Sequence, residues 1–108
     1  MVDHTYPKHD TQAARLLAVL LSGRSIGPLV GWRQLGIYRL SDTVYQLNKA
    51  GWQVQTERVA RNNRFGEPCR FAAYNLLAEV IDAAGLVGQA FASNEMDLIE
   101  AKARRVAA

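Results

Sequence analysis

At 108 residues the chain is long enough to bury a core without disulfides or a structural metal, and its length points to one domain with at most an appended tail. Its hydrophobic fraction of 49% and charged fraction of 21% are those of an ordinary globular protein; the single Cys69 excludes an internal disulfide, and the longest aliphatic run, Leu16 to Leu21, is too short to span a membrane. The net charge of +3 is unevenly spread: residues 11–76 carry nine basic side chains against Asp42, Glu57 and Glu67, a net +6, whereas residues 1–10 sum to −1 and residues 77–108 to −2.

Residues 1–10 contain Pro7, His4 and His9 and little periodic pattern, and are expected to form a flexible N-terminal arm. They lack the basic-then-apolar order of a signal peptide. Thr11 is suited to cap a first helix running to about Ser22, in which Ala13, Leu16, Leu17, Leu20 and Leu21 recur at helical spacing and Gly23 supplies the stop. A short second helix opens at Gly27-Pro28, where proline's missing N–H does no harm, and ends at Gly36. Leu29, Trp32 and Leu35 are expected to face inward, because a helix this short is held by packing rather than by propensity.

The third helix is predicted from about Arg39 to Ala50, before Gly51. Leu40, Val44 and Leu47 share one face, and the opposite face carries Arg39, Asp42, Tyr45, Gln46 and Lys49. The period then changes. Trp52 to Glu57 alternates as a half-buried strand does, and Cys69 to Tyr74 is a second β-rich stretch. Between them, residues 61–68 hold the turn formers Asn, Gly and Pro, so the two strands read as a hairpin with a long basic tip. From Leu77 the pattern is helical again: Leu77, Val80, Ile81 and Ala84 form a stripe up to Gly85. Ser93 or Asn94 is suited to cap a last helix whose Met96, Ile99, Ala103 and Val106 form a heptad-like seam.

Helix, short helix, tight turn, helix, β-hairpin is the order of a winged helix-turn-helix. The expected fold is therefore mainly α with a small β-hairpin: three helices plus a wing over residues 11–76, and a helical C-terminal extension over 77–108. The stretches Leu35-Gly36-Ile37-Tyr38-Arg39-Leu40, Tyr45-Gln46-Leu47-Asn48-Lys49-Ala50-Gly51 and Asn63-Arg64-Phe65-Gly66-Glu67 resemble a family of small helix-turn-helix domains common in bacteriophages and prophages. The resemblance covers about residues 11–76 and implies a winged-helix domain that binds double-stranded DNA. Two departures stand out. Tyr38 occupies a position where that family has a small capping residue, and Val30-Gly31 stand where it has an acidic residue and alanine. With no good cap at Tyr38, the third helix is expected to start later, with Ser41 or Asp42 in its first turn.

The candidate DNA-binding residues are Arg39, Ser41, Asp42, Tyr45, Gln46 and Lys49 on the third helix and Arg61, Asn62, Asn63 and Arg64 at the wing tip. Arginine can hold guanine O6 and N7, and glutamine adenine N6 and N7. Asp42 either accepts from cytosine N4 or has a structural role, orienting Arg39 or supporting the helix N-terminus, and the structural role is the reading preferred. Tyr45 is expected to pack beside Trp32, and Trp32 and Trp52 to lie in the core. Phe65 is expected to anchor the wing loop, Arg58 and Arg70 to protect strand edges, and Cys69 to be a small buried residue.

His4 and His9 have too few neighbouring ligands for a metal site, and there is no phosphate-cradling loop, nucleophile elbow or metal-binding histidine pair. The chain is thus expected not to be an enzyme and to need no metal, cofactor or small-molecule ligand. Its expected partners are double-stranded DNA and, through Met96, Ile99, Ala103 and Val106, a second copy of itself; its expected location is the cytoplasm, on the nucleoid. The expected function is that of a sequence-specific DNA-binding transcriptional regulator of a phage or prophage, with the third helix in the major groove and the basic wing on the backbone or minor groove; the alternatives are an architectural accessory factor in excision, recombination or replication, and a winged helix turned to protein binding.

Overall fold

Thr11 begins the first helix as its chemistry suggests. Its Oγ1 accepts from the Ala14 N–H at 3.2 Å and donates to the Lys8 carbonyl at 2.7 Å. The computed structural model describes residues 4–107, in the order α1 (Gln12–Leu21), α2 (Pro28–Leu35), α3 (Leu40–Lys49), β1 (Gln55–Asn62), β2 (Pro68–Asn75) and α4 (Ala78–Ala107). Ala14 and every residue from Leu16 to Leu21 are buried in α1. Six consecutive apolar residues leave the second half of α1 without a polar face, so it must be covered on every side: α2 and α3 pack on α1, and so does α4. The C-terminal extension thus completes the core rather than projecting from it.

Gly27 and Pro28 open α2, and Gly36 closes it with φ 70°, a left-handed conformation that costs glycine little. That residue lets the Ile37 N–H reach the Gly31 carbonyl at 3.1 Å. Two α1 side chains meet the remaining carbonyls at the turn: Arg15 Nε donates to Leu35 O at 2.9 Å, and Gln12 Nε2 to Gly36 O at 3.3 Å. Ile37, fully buried, anchors the turn to the core.

The inner face of α2 differs from the expected one. Leu35 is buried, but Leu29 is 60% and Trp32 55% exposed. The cause is Gly31, which is buried where α2 approaches α3; a Cβ there would lie 3.3 Å from Leu40 Cδ1. With the helix turned to bring Gly31 and Leu35 inward, Trp32 is swung out by about 100° from its neighbour. Trp32 therefore does not lie in the core, and the aromatic ring it pairs with is that of Tyr38 rather than Tyr45. Trp52 does lie in the core, and its Nε1 donates to Thr5 O at 2.8 Å.

The hairpin begins three residues later than the alternation suggests. Trp52 and Val54 are buried, yet Gln53 has φ 55°, which breaks the extended run, and the Val54 N–H donates to Asn48 Oδ1 at 2.6 Å instead of to a strand. β1 and β2 then pair antiparallel from Gln55↔Asn75 to Asn62↔Pro68. The long tip shrinks to residues 63–67, and Arg61 and Asn62 are strand residues. Ile26, between α1 and α2, makes a bridge to Tyr74 through two 2.8 Å bonds that tie the hairpin to the helices.

The long α4 is broken at Gly85 (φ 60°, ψ −146°), not at Ser93 or Asn94, which lie within its second half. Leu77 is exposed, Val80 and Ile81 are half-buried, and Ala84 is buried. Beyond the break, Phe91, Ala92 and Glu95 are buried, and Met96 and Ile99 pack against the core of their own chain. Only Ala103 and Val106 of the expected dimer seam are exposed, because Met96 and Ile99 are turned into the chain's own core.

Residues 4–10 are not a loose arm but a strap across the molecule. Thr5 N–H donates to Ala50 O at 3.0 Å, and His4 stacks on Trp52 with centroids 3.8 Å apart. Tyr6 packs at 5.0 Å from Phe91 of α4, and burial raises its phenol pKa. Asp10 bonds Lys102 Nζ at 3.0 Å and lies 3.7 Å from Arg15. Residues 1–3 of the expected arm lie outside the described residues.

Candidate nucleic-acid interface

The burial of α3 divides it into two faces. Leu40, Thr43, Val44 and Leu47 turn inward; Arg39, Ser41, Asp42, Tyr45, Gln46 and Lys49 are exposed. Arg39, Asp42, Tyr45, Gln46 and Lys49 follow one another at spacings of three, three, one and three, and so form one stripe along the helix. Thr43 is the inward position that hydropathy alone does not reveal. α3 starts at Leu40 with Arg39 as its N-cap and no side-chain cap. Asp42 supplies the acid of the first turn, which favours the helix dipole, and its Oδ2 lies 3.9 Å from Arg39. Both partners are well exposed, so the pair orients Arg39 loosely and adds little stability. The far end of α3 is held by the Asn48–Val54 bond, which sets where the chain leaves for the wing.

At the wing tip one side chain organises the loop. Asn63 Oδ1 accepts from the N–H groups of Phe65 at 2.9 Å and Glu67 at 3.0 Å, while its Nδ2 donates to Glu67 Oε1 at 3.0 Å. Asn63 is thereby committed to the turn. Arg64 lies over the ring of Phe65, 5.4 Å from its centroid, and Phe65 is 76% exposed at the tip instead of anchoring the loop. Opposed pairs Arg58↔Ala72 and Ala60↔Arg70 put Arg58 and Arg70 on one face of the wing, whereas Arg61, one residue on from Ala60, is on the other. Cys69, paired with Arg61, is exposed rather than buried, since both faces of the hairpin's outer half meet solvent.

Two aromatic residues that the hydropathy pattern does not point to are part of this surface. Trp32 and Tyr38, the latter 78% exposed, form an edge-to-face pair at the turn between α2 and α3. The available signal is the pairing of Gly31 with Leu35 at i, i+4, which defines an inner face that leaves Trp32 outside.

A short helix, a glycine-closed turn, a second helix with an exposed polar stripe and a two-stranded hairpin define a helix-turn-helix protein with a wing, an architecture suited to binding DNA. The chain belongs to the family described as winged helix-turn-helix domain, which matches residues 11–80, well over half its length. Proteins of this class are typically not enzymes. No curated protein and no solved structure matches the chain. Among the described residues no group of His, Cys, Asp and Glu could hold a metal ion, and no helix is long and apolar enough to cross a membrane.

Proposed function

We propose that this protein binds double-stranded DNA sequence-specifically and acts as a transcriptional regulator of a phage or prophage, working on the nucleoid in the cytoplasm. α3 enters the major groove, where Arg39, Gln46 and Lys49 meet base edges and phosphates and Ser41, Asp42 and Tyr45 frame them. The wing lies on the backbone or minor groove through Arg61, Asn62 and Arg64. The observation that carries this reading is the division of α3: its apolar positions are buried and its side chains of hydrogen-bonding length stand exposed in one stripe. The motif resemblance supports the phage assignment. A palindromic site calls for a second copy, and Ala103 and Val106 are the positions left for that contact.

Selection of bound duplexes from a random pool tests the reading. The expected result is a consensus, with affinity that falls steeply with salt, by about 0.9 in log–log slope for each phosphate neutralised. Equal affinity for all sequences removes the regulator and leaves an architectural role. Absence of binding at low salt removes DNA altogether and favours a protein-binding module.

A further inference from the structure

Trp32 and Tyr38 span the helix-turn-helix junction, Trp32 from α2 and Tyr38 one residue ahead of the α3 N-cap, with ring centroids 5.7 Å apart and planes at 75°. Large rings left this exposed mark a surface that something covers. Their setting says what. Arg39, exposed and next to Tyr38 in the chain, puts a cation beside the pair, loosely oriented by Asp42 at 3.9 Å. That cation suits a phosphate strand. The apolar groups that a duplex presents in its major groove are thymine methyls. In helix-turn-helix docking, the residues at the start of the recognition helix are those that reach base edges.

We propose that this pair reads a thymine: the Tyr38 ring, braced edge-on by Trp32, covers the C5-methyl of one thymine in the bound site. The inference rests on the DNA-binding reading above and deepens it, by assigning specificity to two residues outside the polar stripe. Two rings with few rotatable bonds already in contact lose little freedom on binding, so the contact discriminates at low entropic cost.

The test is a uracil scan of the selected duplex against the intact protein. Each replacement of thymine by uracil deletes one methyl and leaves the hydrogen-bonding edges unchanged. The expected result is a loss of about fourfold in affinity at one thymine position, the size expected for one buried methyl. Tyr38→Ala should bind the thymine and uracil duplexes equally, Tyr38→Phe should keep the discrimination, and Trp32→Ala should weaken it at that same position. Both residues are exposed, and thermal melting checks that each variant is folded. A scan with no methyl-sensitive position overturns the proposal. So does a loss of affinity in Tyr38→Phe without a uracil effect, which marks a hydroxyl–phosphate contact. Failure to bind any duplex overturns the DNA-binding reading and the inference with it, a result distinct from binding that ignores the methyl.

Discussion

His9 Nδ1 lies 2.6 Å from Glu95 Oε1, a contact between residues 86 positions apart in the chain. Glu95 has no exposed surface, and its second oxygen accepts from the Asp10 N–H at 3.2 Å. A buried carboxylate is tolerated only when both oxygens are satisfied. The strap of residues 4–10 and the second half of α4 therefore depend on each other, and both lie outside the matched residues 11–80. His9→Ala leaves one oxygen of Glu95 without its partner and should lower stability by about 1–3 kcal/mol in urea denaturation. Removing residues from Ser93 onward should unfold the domain rather than split a dimer, because it takes Glu95, Met96 and Ile99 out of the core. A folded, stable truncation would show that the strap and α4 are accessory.

Asp10 makes the same junction sensitive to acid. The hydrogen bond from Lys102 holds its carboxyl below the usual aspartate value, with the charges of Lys102, Arg15 and Arg105 acting in the same direction against a desolvation cost. A group whose pKa is lower in the folded state contributes stability above its unfolded pKa and loses it as pH falls through the folded value. This contribution should thus be intact at neutral pH and disappear as pH drops below about 4. Asp10→Asn should flatten that part of the stability–pH curve. An unchanged acid limb in the variant would mean that other carboxylates govern it.

What could be read from the sequence follows the range of the interactions. Thr11, Pro28, Gly36 and the Leu40–Val44–Leu47 spacing act within a few residues, and the helices they imply are where they should be. The features that escaped depend on side chains outside the segment's own element. Trp32 is outside because Gly31 packs on Leu40, nine residues away. The first strand starts late because Asn48 captures the Val54 N–H and Gln53 turns the chain. The strap is ordered by Trp52, Phe91, Glu95 and Lys102, none of which residues 1–10 foretell. On the candidate interface, the α3 stripe was legible from periodicity. The wing tip was not, since Asn63 spends its side chain on the loop.

Gly36 isolates the cost of the turn's backbone. Nothing lies within 4 Å of a Cβ added there, so Gly36→Ala meets no clash and bears only the left-handed φ of 70°. The expected loss is about 1–2 kcal/mol, with Gly36→Asn less affected. Because the turn fixes the angle between α2 and α3, DNA affinity should fall along with the melting temperature. A variant as stable as the parent would mean that Arg15 and Gln12, which hold the flanking carbonyls, determine the turn without help from glycine.

The division of α3 predicts two kinds of variant with opposite signatures. Leu47 is buried in the core, so Leu47→Ala should cost about 2–5 kcal/mol of stability and affect DNA binding only through unfolding. Arg39 and Lys49 are exposed, and the Arg39–Asp42 pair is weak, so Arg39→Ala and Lys49→Ala should leave stability within about 0.5 kcal/mol of the parent. Where the deleted side chain held a phosphate, binding to all sequences should weaken alike and the salt slope should fall by about 0.9. Where it held a guanine, the cost should be about 1–3 kcal/mol at one position, with a relaxed consensus there. Fluorescence anisotropy over a salt series, paired with urea melts, separates these outcomes. If both variants bind selected DNA with the parent's affinity and slope, the exposed stripe of α3 is not the surface that meets the duplex.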